Sequence, residues 1–271
     1  MLKQVLLVAA LLLCANLSSG AEVRYQMNCD LGRGASQKQK TSGLTVSLTP
    51  SNGLCHVIVL DVGAKVVFEY SASGIQVFVG VGVTTDGRRN AVIQADTLSS
   101  HKLFIVSLGE HPRLLRTVEN YYGFWLQNDC GHRIRIWTAD TVFQQDHDLD
   151  GVYRRDLFAP NVVFELDNGR LVDSTPSCRE YFDKEASLLR SRLREDDIKS
   201  FQAGTLTDEH RLGRLKGKIL KIASCYLYTG RESDARQFLL QICPSNDTER
   251  IWESLVKLHS EGVLRNLTLA N

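Results

Sequence analysis

Several signatures of catalysis and cofactor binding are missing from this 271-residue chain. No two cysteines stand in a C-x-x-C, which argues against a zinc ribbon or a thioredoxin-like redox pair. No histidines are spaced as H-x-x-x-H or H-E-x-x-H, so the two-ligand face of a zinc-protease helix is absent. There is no G-x-S-x-G elbow to present a hydrolase serine. Neither a Walker loop nor a G-x-G-x-x-G occurs, and GVGV at 80–83 sits in an apolar strand run and reads as a bend. Charge of one sign is also lacking: the formal net charge is +1, too little for the basic field that non-specific nucleic-acid binding requires. The apolar run from Val5 to Cys14 is only about half of the roughly 20 residues a membrane helix needs, so no stable span is expected once a leader is removed.

That short run does fit a secretory signal peptide. One positive charge, Lys3, precedes it, and the small residues Ser18 and Gly20 follow it. Cleavage after residue 20 would make Ala21 the first mature residue. A lipoprotein anchor on Cys14 is disfavoured because Leu13 is large where a small residue is needed. The chain is therefore expected in the periplasm or outside the cell. Beyond Cys14 it carries Cys29, Cys55, Cys130, Cys178, Cys225 and Cys243. An even set in an exported chain predicts disulfides, with fifteen pairings open. Cys29 with Cys55 is the favoured pair, because both flank predicted strands near the N-terminus; the alternative is that several are buried free thiols.

The pattern predicts an α+β protein: an all-β domain of short antiparallel strands at 21–172, then an all-helical domain at 173–271. CHVIVLDV (55–62), AKVVFEY (64–70) and IQVFVGVGV (75–83) are rich in Val, Ile and Phe and broken by glycine or serine. NAVIQA, KLFIVSLG, FWLQ, RIRIWTA and NVVFEL continue the series, and RIRIW alternates so that one strand face is wet and the other buried. From Pro176 the spacing turns helical. SCREYFDKEASLLRSRLREDDIKSF reads as one helix, Thr207 as the cap of the next, and Gly230 as its end. Two more follow, at about 233–242, where Pro244 stops it, and about 248–261, making about four helices.

Ile222, Ala223, Tyr226, Gly230, Ala235 and Leu239 stand at the offsets of a tetratricopeptide repeat, and the segment 219–244 resembles one such unit. The resemblance implies two antiparallel helices that offer a groove to a peptide. Three other segments share a polar turn with a glycine, followed by a strand: TTDGRRNAVI (84–93), QNDCGHRIRIW (127–137) and DHDLDGVYRRDLF (146–158). Over about 55–170 the chain resembles the FG-GAP or VCBS repeat, in a degenerate form. A closed propeller would not fit in this length, so the resemblance implies a blade-like or partial-propeller fold. It also implies calcium in the third turn, on Asp146, Asp148 and Asp150, with Asp156 as terminal carboxylate and the Val152 carbonyl among the remaining oxygens. An EF-hand is excluded by Leu157, where a bidentate glutamate is needed. The alternative is a solvated acidic turn in which Asp and Asn cap their own backbone.

Aromatic residues gather in ENYYGFWLQ (119–127). Tyr121, Tyr122 and Trp125 are candidates for a sugar- or peptide-binding platform, and the competing reading is that they fill a core between β layers. The leading functional expectation is an exported, non-enzymatic binding or scaffold protein with a protein or peptide partner. Two alternatives stand beside it. One is a hydrolase of envelope polymers working through Asp146, Asp148, Asp150 or neighbouring histidines; the other is a purely structural envelope protein. Calcium is the single cofactor expected.

Overall fold

Runs of β-branched residues with one wet face fold here as antiparallel meanders. The computed structural model describes residues 25–263 other than 42, 87, 110, 132 and 141–158. Its strands are β1 (Tyr25–Asp30), β2 (Gln37–Thr41), β3 (Leu44–Ser51), β4 (Leu54–Asp61), β5 (Val66–Ala72), β6 (Gly74–Val81) and β7 (Asn90–Asp96). There follow β8 (His101–Ser107), β9 (Leu114–Asn120), β10 (Trp125–Gln127), β11 (Arg135–Ala139), β12 (Asn161–Asp167) and β13 (Arg170–Asp173). Helices come after them, so the class is α+β. The strands form an outer sheet β2-β3-β4-β5, a central sheet β1-β6-β7-β8-β9 and a third sheet β10-β11-β12-β13. The sequence reading singled out neither β1, β2, β3, β9 nor β13. In β2 (QKQKT) and β9 (LLRTVEN) the apolar alternation is weak, and both are edge strands, which need only one paired side.

The central sheet serves two cores because successive side chains leave a strand on opposite faces. Ile75, Val77 and Val79 of β6, Ala91, Ile93 and Ala95 of β7, and Phe104 and Val106 of β8 pack toward the outer sheet, against Leu44, Val46, Leu48, Val57 and Val59. Val92, Leu103, Ile105 and Val118 face the other way, toward the third sheet and the helices. Gly80 decides where β6 changes sides. At φ +85° it inserts one residue into the pairing, so the register shifts between Val79 and Val81. Val81 therefore joins the second core although it is an odd-numbered residue like Val79. The bend read at GVGV is this bulge. Past it the chain runs beside the third sheet, where Thr85 N donates to Leu166 O (2.9 Å) and Leu166 N to Val83 O (2.9 Å).

β12 (NVVFELD) is buried on both faces over most of its length, as a strand between two layers must be. Phe164 meets Phe124 edge-on (6.4 Å between ring centres). From the other face, Trp137 of β11 meets the rings of Tyr181 (4.8 Å) and Phe182 (6.2 Å). These belong to α1 (Arg179–Arg190), which follows a 3-10 turn at Thr175–Cys178. α2 (Glu195–Gln202), α3 (Glu209–Leu227), α4 (Glu232–Ile242) and α5 (Ser245–Glu261) complete the helical layer.

Two helix expectations are corrected. The stretch read as one helix after Pro176 is broken at Ser191–Arg194. Arg194 is extended (φ −87°, ψ 130°), and Glu195, Asp196 and Asp197 open a new first turn where the helix dipole favours acids. Five α-helices are thus described rather than four. The cap of α3 is Asp208, whose side chain accepts Arg211 N at 3.0 Å, and not Thr207. Disulfides join Cys29 to Cys55, from β1 to β4, and Cys130 to Cys178, from the third-sheet region to the first helical turn. Among the described residues no helix is long and apolar enough to cross a membrane.

Candidate functional site

The carboxylates Asp146, Asp148, Asp150 and Asp156, and the carbonyl of Val152, fall within 141–158, outside the described residues. Of the two related turns, the first can be followed in detail, and its polar groups are used within the turn. Asp86 accepts Arg88 N (3.0 Å) and pairs with Arg88 Nε (3.0 Å). Those contacts, the backbone N–H foremost, hold its carboxyl below the usual range. Thr84 and Asn90 both donate to Arg88 O, at 3.0 and 2.8 Å. Among the described residues no group of three or more His, Cys, Asp or Glu stands together as a metal site would require.

The three aromatic candidates do not share one environment. Tyr121 is exposed (63%) and meets Tyr122 edge-on at 5.6 Å. The Tyr122 hydroxyl is buried with no hydrogen-bond partner among the described residues, and burial raises its pKa. Trp125 is half-buried and packs against the second core, opposite Trp137 in the β10–β11 register.

A buried polar cluster lies where β11 ends. Asp140 is fully buried. Its Oδ2 accepts the Tyr228 hydroxyl (2.7 Å) and its Oδ1 accepts Val263 N (3.0 Å). The His259 ring stands edge-on to Tyr228 at 4.5 Å. Burial, with the Asp140 charge second, drives the Tyr228 pKa far up, while burial pushes that of His259 down against the pull of Asp140 and Asp173. Both Asp140 oxygens are occupied from inside the chain, so the cluster ties the third sheet to the end of the helical layer. Cysteine chemistry is similarly quiet. Burial pushes the free thiols of Cys225 and Cys243 to about 12 and about 11, so they stay protonated at neutral pH.

A site with room for a ligand lies elsewhere. A cleft of about 450 Å³ opens where three loops meet: β6–β7, β8–β9 and the β12–β13 turn. The β12–β13 turn is Asn168-Gly169, with φ +48° and +82°, the pair of positive angles that a two-residue hairpin needs. Arg88, Arg89, His111 and Arg113 line the cleft, with Asp86 as its carboxylate among the described residues. Arg88 is spent on Asp86, whereas Arg89 and Arg113 have no carboxylate partner among the described residues.

Their backbones are nevertheless pinned. Arg89 O accepts Leu108 N (3.3 Å), and Ser107 binds Arg113 three times: its N donates to Arg113 O (2.9 Å), its Oγ accepts Arg113 N (2.9 Å), and its Oγ donates to Arg113 O (3.3 Å). Thr85 Oγ1 donates to Asp167 at 2.6 Å, and Arg133 reaches Thr85 O at 2.7 Å, which braces the first loop. The second loop leans on the β2–β3 turn: a Cβ on Gly43 would stand 2.5 Å from Gly109 O. Sequence reading passed over these arginines because Arg113 stands in a different loop from Arg88 and Arg89; RR at 88–89 was the one visible signal. In comparisons with known protein families, curated proteins and solved structures, none matches this chain.

Proposed function

We propose that the chain is exported through the leader at residues 1–20 and works as a non-enzymatic binding protein whose partner is a protein or peptide rich in acidic side chains. The observation that carries the reading is the cleft of about 450 Å³ in which, among the described residues, Arg88, Arg89 and Arg113 outnumber one carboxylate, Asp86. A guanidinium offers a planar fork of donors that matches a carboxylate, and two forks on fixed backbones, without a carboxylate partner among the described residues, give such a partner both charge and geometry to read. Two disulfides support the exported setting. The tetratricopeptide-like hairpin of α3 and α4 serves as scaffold in this reading, because its ring pair is already engaged: Arg190 lies 4.6 Å from the Phe238 ring, and Arg231 4.7 Å from that of Tyr226.

The test is fluorescence polarisation with a labelled hexaglutamate peptide at low salt. Binding should be saturable, weaken steeply as salt rises, and fall about tenfold or more in Arg89→Ala/Arg113→Ala, since two charge-assisted contacts are lost. Equal affinity in that variant would defeat the assignment of the cleft. A hydrolase reading has Asp140, Tyr228 and His259 in its favour, but Asp140 is fully buried and already accepts a hydrogen bond on each oxygen from inside the chain, so a substrate has no open approach to it among the described residues.

A further inference from the structure

A second positive cleft, of about 260 Å³, lies on the helical layer between the α1–α2 connection and the N-terminal half of α3. Its charged lining is Arg192, Arg194, Asp197, Arg211, Arg214 and Lys218. Three features separate it from a merely solvated basic face. First, the acids are committed to one cation: Asp197 pairs with Arg211, and Asp196 and Asp208 also act on that guanidinium. Arg192, Arg194 and Arg214 are left without a carboxylate partner among the described residues. Second, Arg214 and Lys218 stand four residues apart on one face of α3, a like-charged spacing that disfavours the helix unless something neutralises it. Third, the opposite wall is held in place, because Lys218 Nζ donates to Arg192 O at 3.1 Å and still has two N–H groups to offer. Cations therefore converge from two elements on one small volume.

We propose that this cleft binds a phosphoryl group, carried either by inorganic phosphate or by a phosphomonoester headgroup. A carboxylate satisfies one guanidinium fork, leaving the other cations of the cleft crowded. A phosphomonoester brings close to two negative charges and three acceptor oxygens, which suits donors arriving from both walls. The site shares none of its lining with the arginine cleft of the β layers and does not depend on the function proposed for that cleft.

Calorimetric titration of the full chain with inorganic phosphate at low ionic strength tests the proposal. Wild type and Arg89→Ala/Arg113→Ala should bind saturably and alike, and Arg214→Gln/Lys218→Gln should bind about tenfold more weakly or worse. Arg192→Gln/Arg194→Gln changes only exposed loop side chains and should show the same loss with an unaltered melting curve, which separates loss of the site from loss of the fold. A second arm measures co-sedimentation with phosphatidylcholine vesicles with and without phosphatidic acid. Heat with phosphate and no vesicle binding assigns the site to a free phosphate. Binding to phosphatidic-acid vesicles that both double variants lose, without heat from phosphate, assigns it to a lipid headgroup. Absence of saturable binding in both arms, or equal binding by wild type and both helical-layer variants, overturns the proposal.

Discussion

The two faces of the central sheet meet very different surroundings. Toward the outer sheet the core is apolar: among the described residues, none of the buried polar side chains lies on β1 to β6. Toward the third sheet and the helices the same sheet meets a core threaded with polar ties. Asn120 donates to Thr138 Oγ1 (2.6 Å) and Ala139 O (2.9 Å), Arg135 pairs with Glu165 (2.7 Å), and Asp140 holds Tyr228 and Val263. Two sheets matched face to face need only alternation to find their register. A sheet that must accept helices of another period has fewer equivalent contacts, and directional bonds then select one arrangement. The apolar core supplies bulk burial, while the mixed core supplies specificity.

Trp137→Ala should cost the most, about 4 kcal/mol, because the largest fully buried ring of the mixed core is lost. Leu48→Ala in the apolar core should cost about 3 kcal/mol. Both should move one common transition in chemical denaturation, since β6, β7 and β8 contribute to both cores. Two separate transitions would break the shared-sheet picture. Asp140→Ala should follow at about 3 kcal/mol, as the Tyr228 hydroxyl and Val263 N–H would be left buried without an acceptor. Tyr228→Phe, which takes one donor from the buried carboxylate, should cost about 2 kcal/mol in the same measurement. If the two variants were equally mild, Asp140 would not be the tie described.

Acid should act on the mixed core selectively. Burial depresses the His259 pKa below its ordinary 6.5, so the unfolded chain binds that proton more readily than the folded one. The contribution is present above about pH 6.5 and is lost as pH falls below it toward the depressed folded value. The melting temperature should therefore drop more between pH 7.5 and 5.5 in wild type than in His259→Gln, while Leu48→Ala keeps the wild-type slope. Smallest of all, Arg89→Ala/Arg113→Ala should leave stability within about 0.5 kcal/mol of wild type, because both side chains are exposed and have no carboxylate partner among the described residues. Thermal melts check this alongside the peptide titration.

Much of this architecture could be read from short windows of residues. Alternation in RIRIW is visible within five residues, and the helical spacing of α3 and α4 within two turns. The change from strands to helices near residue 173 needs no more than composition and period. Weakly patterned edge strands such as β2 were missed because an edge asks little of its side chains. The break between α1 and α2 was missed because the apolar spacing runs on across it.

The sequence by itself determined most of the strand and helix windows and their α+β order, since each depends on neighbours within one element. Tertiary structure decided the rest: which face of the central sheet each residue serves, set by the bulge at Gly80; that Cys130 meets Cys178; and which loop cations share a cleft. Arg89, Arg113 and Asn168 are scattered along the chain and carry no common motif. They become a site because antiparallel strands return their loops to the same end of neighbouring sheets, a proximity set by strand pairing and invisible to any local pattern.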